Sequence, residues 1–490
     1  MRQRSSATVA TEASGGRRLA RAAGILVSAL TLSACWLTPD KLELNLDIPE
    51  GYRAAQGKPD AAVPDIDWWR RFRSRELTLL MEEAQSANFD IAAAAARVMQ
   101  ADANARIVNA ALLPTVNLNA SATRSRSAIA AGSGSSGTSI GGVDRSLYNV
   151  NFSASYVLDF WGRNRDLLAA ADQSAIASRF DKEVVTLTAL ASVGNAYFQM
   201  VGAQDRLRVA RSNFQAANRI LDLIKQRQSA GTASDFEVAQ QESLVATQRA
   251  SIPPLEITLR QSVSQLAVLT GRAPEHFALD GGSLYRITVP RVTPGLPAEL
   301  LNQRPDIREA EAKLAALNYD VTAARKAFFP TLQLTGTNGW QSTALANLFT
   351  PQGWFYTAAA SLAQPIFDGG VLFGQLDLQQ GLREESLQNY RKSVHSAFSD
   401  VEQALVALQQ QTRRERLQAE VVRTSRIAFN LSEQRLRAGT LDLVTLIQTQ
   451  QTLFQAEDLL AQVRLARLLA AISLYQALGG GWPPAEGPPA

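Results

Sequence analysis

Apolar and small polar side chains alternate between residues 148 and 160. Tyr148, Val150, Phe152, Ala154, Tyr156, Leu158 and Phe160 fall on one side, and Asn149, Asn151, Ser153, Ser155 and Asp159 mostly on the other. A period of two marks a strand with two chemically different faces. Val116, Leu118, Ala120 and Ala122 alternate in the same way with Asn117, Asn119, Ser121 and Thr123; residues 331–338 and 355–367 repeat the pattern less cleanly. Four strands in two hairpins are predicted. Their apolar face has two readings: the underside of a small soluble β-domain, or the lipid-facing side of a barrel whose polar side lines a lumen. Trp161, Trp340, Trp354 and Tyr356, near the strand ends, suit the interfacial aromatic belts of the second. Four strands cannot close alone, since about eight are the minimum for a membrane barrel.

Elsewhere the period lengthens to that of helices. Residues 91–111 and 307–327 are alanine-rich helical stretches, ended by Pro114 and Pro330. After each hairpin comes a very long helical region without proline, from 115 to 252 and from 366 to 482. Residues 164–228 form one predicted helix of about 65 residues, or roughly 100 Å at 1.5 Å per residue. Leu207, Ala210, Phe214, Ala217, Leu221 and Ile224 trace a heptad seam along it. A turn at Ala230-Gly231-Thr232 leads to a second helix over 236–270; the later copy turns at Ala438-Gly439-Thr440 and returns through Leu453, Leu460, Val463 and Leu474. Each half thus ends in an antiparallel helical hairpin with glycine at its tip, where a positive φ is cheap. No window reads as a continuous apolar helix of spanning length, so a membrane crossing would need a closed barrel.

The two halves are copies. Ala111-Leu112-Leu113-Pro114-Thr115 matches Ala327-Phe328-Phe329-Pro330-Thr331 at an offset of 216. Asp159-Phe160-Trp161-Gly162 corresponds to Asp368-Gly369-Gly370 at 209, and the Ala-Gly-Thr turns and the closing Leu269-Thr270-Gly271-Arg272 and Ala477-Leu478-Gly479-Gly480 correspond at 208. The fall in offset places extra residues in the first hairpin, where the Gly/Ser-rich stretch 131–142 reads as a loop. A repeat of this length is too long for a solenoid and points to duplication of one architectural half.

The amino-terminal segment changes the picture of charge. Arginines 17, 18 and 21 precede a short apolar run, residues 22–32, and then Ser33, Ala34 and Cys35, the only cysteine. Basic, apolar, small is the order of a secretory signal peptide, with a run too short to span a bilayer. Leu32-Ser33-Ala34-Cys35 resembles a bacterial lipobox, whose cysteine is lipidated; the bland reading is an unmodified cysteine near a terminus. Residues 1–34 carry five arginines against Glu12, which accounts for the whole formal charge of +4. The remaining chain is close to neutral, which argues against a nucleic-acid partner. An enzyme is equally unsupported: His276 and His395 are the only histidines, no nucleophile triad, zinc spacing or phosphate loop stands out, and Glu82-Glu83 and Glu384-Glu385 read as solvated helix faces.

Lipobox, duplicated halves, two strand hairpins and two long helical hairpins together resemble the outer-membrane factor (TolC-like) family, and within it the OprM/NodT-type lipoproteins. The matching residues are the Pro-Thr strand openings at Pro114 and Pro330, Asp159-Phe160-Trp161-Gly162, the two Ala-Gly-Thr tips, Leu301-Asn302-Gln303-Arg304-Pro305-Asp306-Ile307-Arg308, and the closing Tyr475-Gln476-Ala477-Leu478-Gly479-Gly480-Gly481-Trp482. The resemblance implies an α-dominated fold with membrane β-structure: a homotrimer sharing a 12-stranded outer-membrane β-barrel, four strands per protomer, above a periplasmic α-helical coiled-coil barrel. It implies a passive efflux duct gated at the periplasmic helical tips, partnered by a periplasmic membrane-fusion adaptor and an inner-membrane pump, embedded in outer-membrane lipid, with no cofactor beyond the lipid on Cys35. The implied divisions are 1–34 signal peptide, 35–110 lipidated segment and first helices, 111–162 hairpin of strands, 163–272 helical hairpin, 273–306 linker, 307–327 helix, 328–370 second strand hairpin, 371–480 second helical hairpin and 481–490 tail. In the family the second tip carries a tyrosine, an apolar ring and a constricting aspartate; these positions fall on Leu436, Val444 and Gln448, with Asp442 nearby. Gly231, Thr232, Gly439 and Thr440 are the implied adaptor-docking tips. Each of these residues has the plainer alternative of packing its hairpin, and a periplasmic coiled-coil scaffold lipoprotein is the rival from another functional class.

Overall fold

The computed structural model describes residues 43–54, 65–127, 143–290 and 295–480. The expected leader, Cys35, the loop 131–142 and the tail 481–490 lie outside the described residues. In chain order the elements are α1 Arg75–Ala87, α2 Phe89–Asn109, β1 Thr115–Ser127, β2 Val143–Leu158, α3 Arg163–Ser229, α4 Asp235–Ala250, α5 Ile252–Leu269, α6 Pro297–Gln303, α7 Pro305–Lys326, β3 Thr331–Ser342, β4 Trp354–Ala363, α8 Val371–Arg437 and α9 Leu443–Ala477. They fall into two units. Gln100–Ala175 and Ala312–Leu387 belong to the first, which holds the strands; Asn45–Met99, Ile176–Glu311 and Gln388–Ala490 belong to the second.

The two strand hairpins join into one antiparallel sheet of order β1-β2-β3-β4. Register puts Leu118, Phe152, Asn338 and Tyr356 in one row, and Ala120, Val150, Trp340 and Trp354 in the next. Directly paired residues share a face, so the alternation in each strand sums to a continuous apolar side. That side is open: Val116, Leu118, Phe152, Tyr356 and Leu362 are all more than half exposed. Its one interior polar residue, Asn338, accepts a hydrogen bond from the Trp354 indole N–H (3.0 Å). The rows from Leu332 to Trp340 cover eight steps, roughly 26 Å along the strand at 3.3 Å per residue, close to the about 25 Å apolar band of an outer-membrane barrel. Such a face would be a liability on a soluble domain.

Two strand-end expectations need correction. The segment 355–367 is strand only to Ala363, because Pro365 cannot donate to the ladder. Trp161, three residues beyond the end of β2, is half-buried rather than open. It folds into the strand-to-helix junction, its indole N–H donating to the Pro330 carbonyl (2.9 Å) and its ring against Phe329 at 4.8 Å. Phe160, Ile366, Phe367 and Phe373, each at least 66% exposed, supply the apolar collar there instead.

Helices α3 and α8 are 67 residues each, starting and ending 208 residues apart. Equivalent aspartates cap both. The Asp159 carboxylate accepts from the backbone N–H groups of Asn164 and Arg165, and that of Asp368 from Gly370 and Leu372. Of the heptad seam on α3, Leu207, Ala210, Ala217, Leu221 and Ile224 are buried and Phe214 is half-buried. The helix expected over 236–270 is broken at Ser251 into α4 and α5. Pro253 and Pro254 lack the N–H groups needed to continue a helix but fit the first turn of a new one. Its copy α9 has no proline and runs 35 residues unbroken. A second correction concerns α3, which does contain a window apolar and long enough to span a bilayer; more than half of it is buried inside the protein. Phe198, Met200 and Val201 there pack with Trp68, Phe72 and Tyr475 in the main core, so the window is a core element.

Each half closes with the same device. Gly271 and Gly479, both at positive φ, end α5 and α9 in turns where Arg272 N–H reaches the Ala267 carbonyl (2.8 Å) and Gly480 N–H the Tyr475 carbonyl (2.9 Å). The last helical carbonyls take buried side-chain donors: Asn88 Nδ2 to the Leu269 carbonyl (2.8 Å), and Arg304 Nη1 to the Ala477 carbonyl (3.0 Å). Asn88 and Arg304 are 216 residues apart, and the carbonyls they meet are 208 apart, so the bonds are copies of one another. Arg304 also holds both carboxylate oxygens of Asp306 (3.0 and 2.7 Å) and Asp400 (3.1 Å). Arg304→Ala strips a buried carbonyl and two aspartates of their donor and should cost about 2–3 kcal/mol. Arg304→Lys should recover only part, because an ammonium cannot span the same fork; thermal unfolding followed by circular dichroism measures both.

Candidate functional site: the hairpin tips

The two helical turns are built alike. At the first, Gly231 (φ +74°) lets the chain reverse, its N–H meets the Gln228 carbonyl (2.8 Å), and the Thr232 N–H meets the Arg227 carbonyl (2.8 Å). At the second, Gly439 (φ +71°) bonds the Leu436 carbonyl (3.0 Å) and Thr440 the Arg435 carbonyl (2.9 Å). These paired bonds satisfy helix-end carbonyls that no later helical turn can reach. Each threonine hydroxyl adds a bond to the same carbonyl as its own N–H, at 3.0 and 3.2 Å. Gly231, Thr232, Gly439 and Thr440 are all exposed, and a Cβ on either glycine would meet nothing within 4 Å. Backbone conformation, not space, demands glycine there.

The return helices start on caps of different chemistry. Ser234 Oγ accepts from the Glu237 N–H (3.3 Å), and Glu237 reaches back to the Ser234 N–H (2.7 Å), a capping box. Its counterpart Asp442 accepts from the Thr445 N–H and hydroxyl, both at 2.8 Å. The backbone bond, then the hydroxyl, hold the Asp442 carboxyl below the usual carboxylate range. Between the turns and caps, Ile220, Leu221, Ile224, Val238, Phe429, Leu436, Leu443, Leu446 and Leu453 form a core shared by α3, α4, α8 and α9.

The residues picked out at the second tip therefore separate. Leu436 is 1% exposed and packs in that core. Asp442 caps α9. Val444, 46% exposed, and Gln448, also exposed, lie one turn apart on the open side of α9. Phe236, 67% exposed on α4, is the 208-residue counterpart of Val444. It was legible from the repeat offset but not singled out. From Leu443 to Ala456 the start of α9 has no ionisable side chain.

One copy thus carries a sheet with an open apolar face and two copied helical hairpins with exposed tips. The outer membrane efflux protein family matches residues 80–272 and 296–480. The chain belongs to that family. Over 458 residues it is 39% identical to the pyoverdine export outer membrane protein OpmQ of Pseudomonas putida, covering 94% of this chain and 97% of that protein. Over 460 residues it is 27% identical to the cation efflux system protein CusC of Escherichia coli, covering 93% and 97%. Among solved structures it is similar to the outer-membrane channel OprN (TM-score 0.83, 26% identity, 91% of this chain and 99% of that one). It is also similar to the MtrE channel of Neisseria gonorrhoeae in its open state (TM-score 0.80, 27% identity, 91% and 98%). The fold is thus that of the TolC-like outer membrane channels, the location is the outer membrane, and the function is that of an exit duct for efflux. The family and its relatives are ducts rather than enzymes.

Because the folded Asp442 carboxyl lies below its unfolded value, its cap is fully made above about pH 4 and is lost as pH falls through the lowered value. Hydrogen exchange at the start of α9 should therefore accelerate on acidification, corrected for intrinsic rates. In Asp442→Asn, which caps without titrating, that added pH dependence should vanish. Asp442→Ala should loosen the tip and alter single-channel conductance; unchanged conductance would count against a role in closure.

Proposed function

We propose that three copies of this chain assemble into the duct, each giving four strands to a shared 12-stranded barrel. A periplasmic membrane-fusion adaptor and an inner-membrane pump supply the energy. The observation that carries this reading is the sheet itself: among the described residues, β1 and β4 are unpaired edges of a sheet whose apolar face is open. A bilayer tolerates no unpaired edge, so the sheet must close with others. The rival reading, a coiled-coil scaffold in the periplasm, has no use for such a face.

The duct is passive and carries out no catalysis. The tips around Gly231, Thr232, Gly439 and Thr440 dock the adaptor, with no side chain obstructing the two glycines. Val444 and Gln448, on the open side of α9, line the constriction, where glutamine supplies neither the mutual repulsion nor the cation attraction of a carboxylate ring. Higher identity to OpmQ than to CusC favours a small organic cargo over a metal cation. Cys35 carries the lipid that anchors the chain.

The purified protein should run in detergent gels as a trimer that heating converts to monomer, and should conduct in a planar bilayer. Metabolic labelling with palmitate should mark the wild type and not Cys35→Ser. A lone non-conducting subunit, extractable as a soluble protein after Cys35→Ser, would support the scaffold instead.

A further inference from the structure

The polar face of the sheet has a composition that the duct function does not require. Its polar side chains are mostly amides and hydroxyls, several of them bonded to one another, with Leu147, Val157, Phe355, Ala359 and Ala363 between them. Asn119 Nδ2 donates to Asn151 Oδ1 (3.3 Å) and Ser153 Oγ (2.9 Å), Asn151 Nδ2 to Asn149 Oδ1 (2.6 Å), and Gln333 Nε2 to Ser155 Oγ (3.0 Å). Register places these residues on the side opposite Leu118, Phe152 and Trp340. Among the described strand residues, the only ionisable side chain on this face is Arg145, opposite Ser125 near the β1–β2 turn. Arg124, Arg126 and Asp144, its neighbours in the β1–β2 ladder, belong to the other face and pair there. The opening of α9 is also uncharged from Leu443 to Ala456.

Selection by sign of charge in a pore comes from rings of ionised side chains or oriented dipoles. An amide or hydroxyl offers both donor and acceptor, and so solvates cations and anions alike. Mutual bonding holds these side chains in place and leaves fewer free groups to retain a passing solute. Resting on the duct reading above, we propose that the strand-lined lumen is a neutral hydrogen-bonding sleeve. It passes polar solutes of either sign, and its one charged feature is a cationic Arg145 ring near the β1–β2 turn.

The test is ion selectivity of the assembled full-length protein in planar bilayers, with potassium chloride as probe. Trimer formation by each variant is checked by heat-modifiable migration. Wild-type chloride and potassium permeabilities should agree within about threefold at 0.1 M salt. Asn151→Asp, or Asn149→Asp should the first fail to assemble, should shift the ratio toward potassium by about fivefold. Arg145→Ala should shift it the same way by less than about twofold at 0.1 M and not at all at 1 M, because the screening length falls from about 10 Å to about 3 Å. A wild-type ratio beyond about tenfold in either direction overturns the inference. So does an assembled aspartate variant with unchanged selectivity, since that face would then not line the path. An assembled wild type that conducts nothing removes the duct reading itself, and this inference with it.

Discussion

A backbone N–H or C=O has no partner in hydrocarbon, and everything else in this protein follows from that. A sheet with two open edges and an exposed apolar face can exist in the outer membrane only when both edges are paired. Four strands cannot curl back on themselves to do so. The sheet's incompleteness is thus a specification for assembly. It also explains the apolar collars at both ends of the strands, Trp340, Trp354 and Tyr356 at one and Phe160 and Phe367 at the other, where side chains meet the lipid boundary.

Duplication supplies the rest cheaply in sequence. A strand hairpin is followed by an aspartate-capped helix of 67 residues, a glycine turn, a return helix and a second glycine turn, and the set then recurs. The copies diverge where their roles do. Gly162 and Gly370 both keep a positive φ (+79° and +90°) at equivalent places, but Asp166, just beyond Gly162, forms an ion pair with Lys326 (2.6 Å) that its counterpart Gly374 cannot. Burial raises the Asp166 pKa, with Lys326 opposing. Asn88 and Arg304 perform one task, holding the end of a helix, with very different side chains; only the arginine also gathers Asp306 and Asp400. The first return helix breaks at Ser251 while the second does not.

Much of this was legible because its signals are periodic. Alternation over 148–158 and 116–122 gave strand and face together, and the 208-residue offset located both tips. What escaped was either local chemistry competing with a period or contact between distant segments. Pro253-Pro254 interrupts a helical pattern without changing it. Trp161 looks like a belt residue until the Pro330 carbonyl is placed beside it. The apolar window of α3 holds Gly194, and it is there that Ile472 and Met81 pack closest. Leu436 and Asp442 looked like neighbours of one function; geometry gives one to the core and the other to a helix cap.

Cross-linking between the edge strands tests the shared barrel most directly. Within one copy, β1 and β4 are separated by two strands, roughly 14 Å at 4.8 Å per step, well beyond the about 7 Å that a disulfide can bridge. Any disulfide between them must therefore join different copies. Cysteines at Asn117, Asn119 or Ser121, combined with Phe355, Thr357 or Ala359, sample the possible registers in membranes under oxidising conditions. At least one pair should give covalent dimers and trimers with nothing larger. Monomers for every pair, or a ladder running past three, would contradict a closed barrel of three copies.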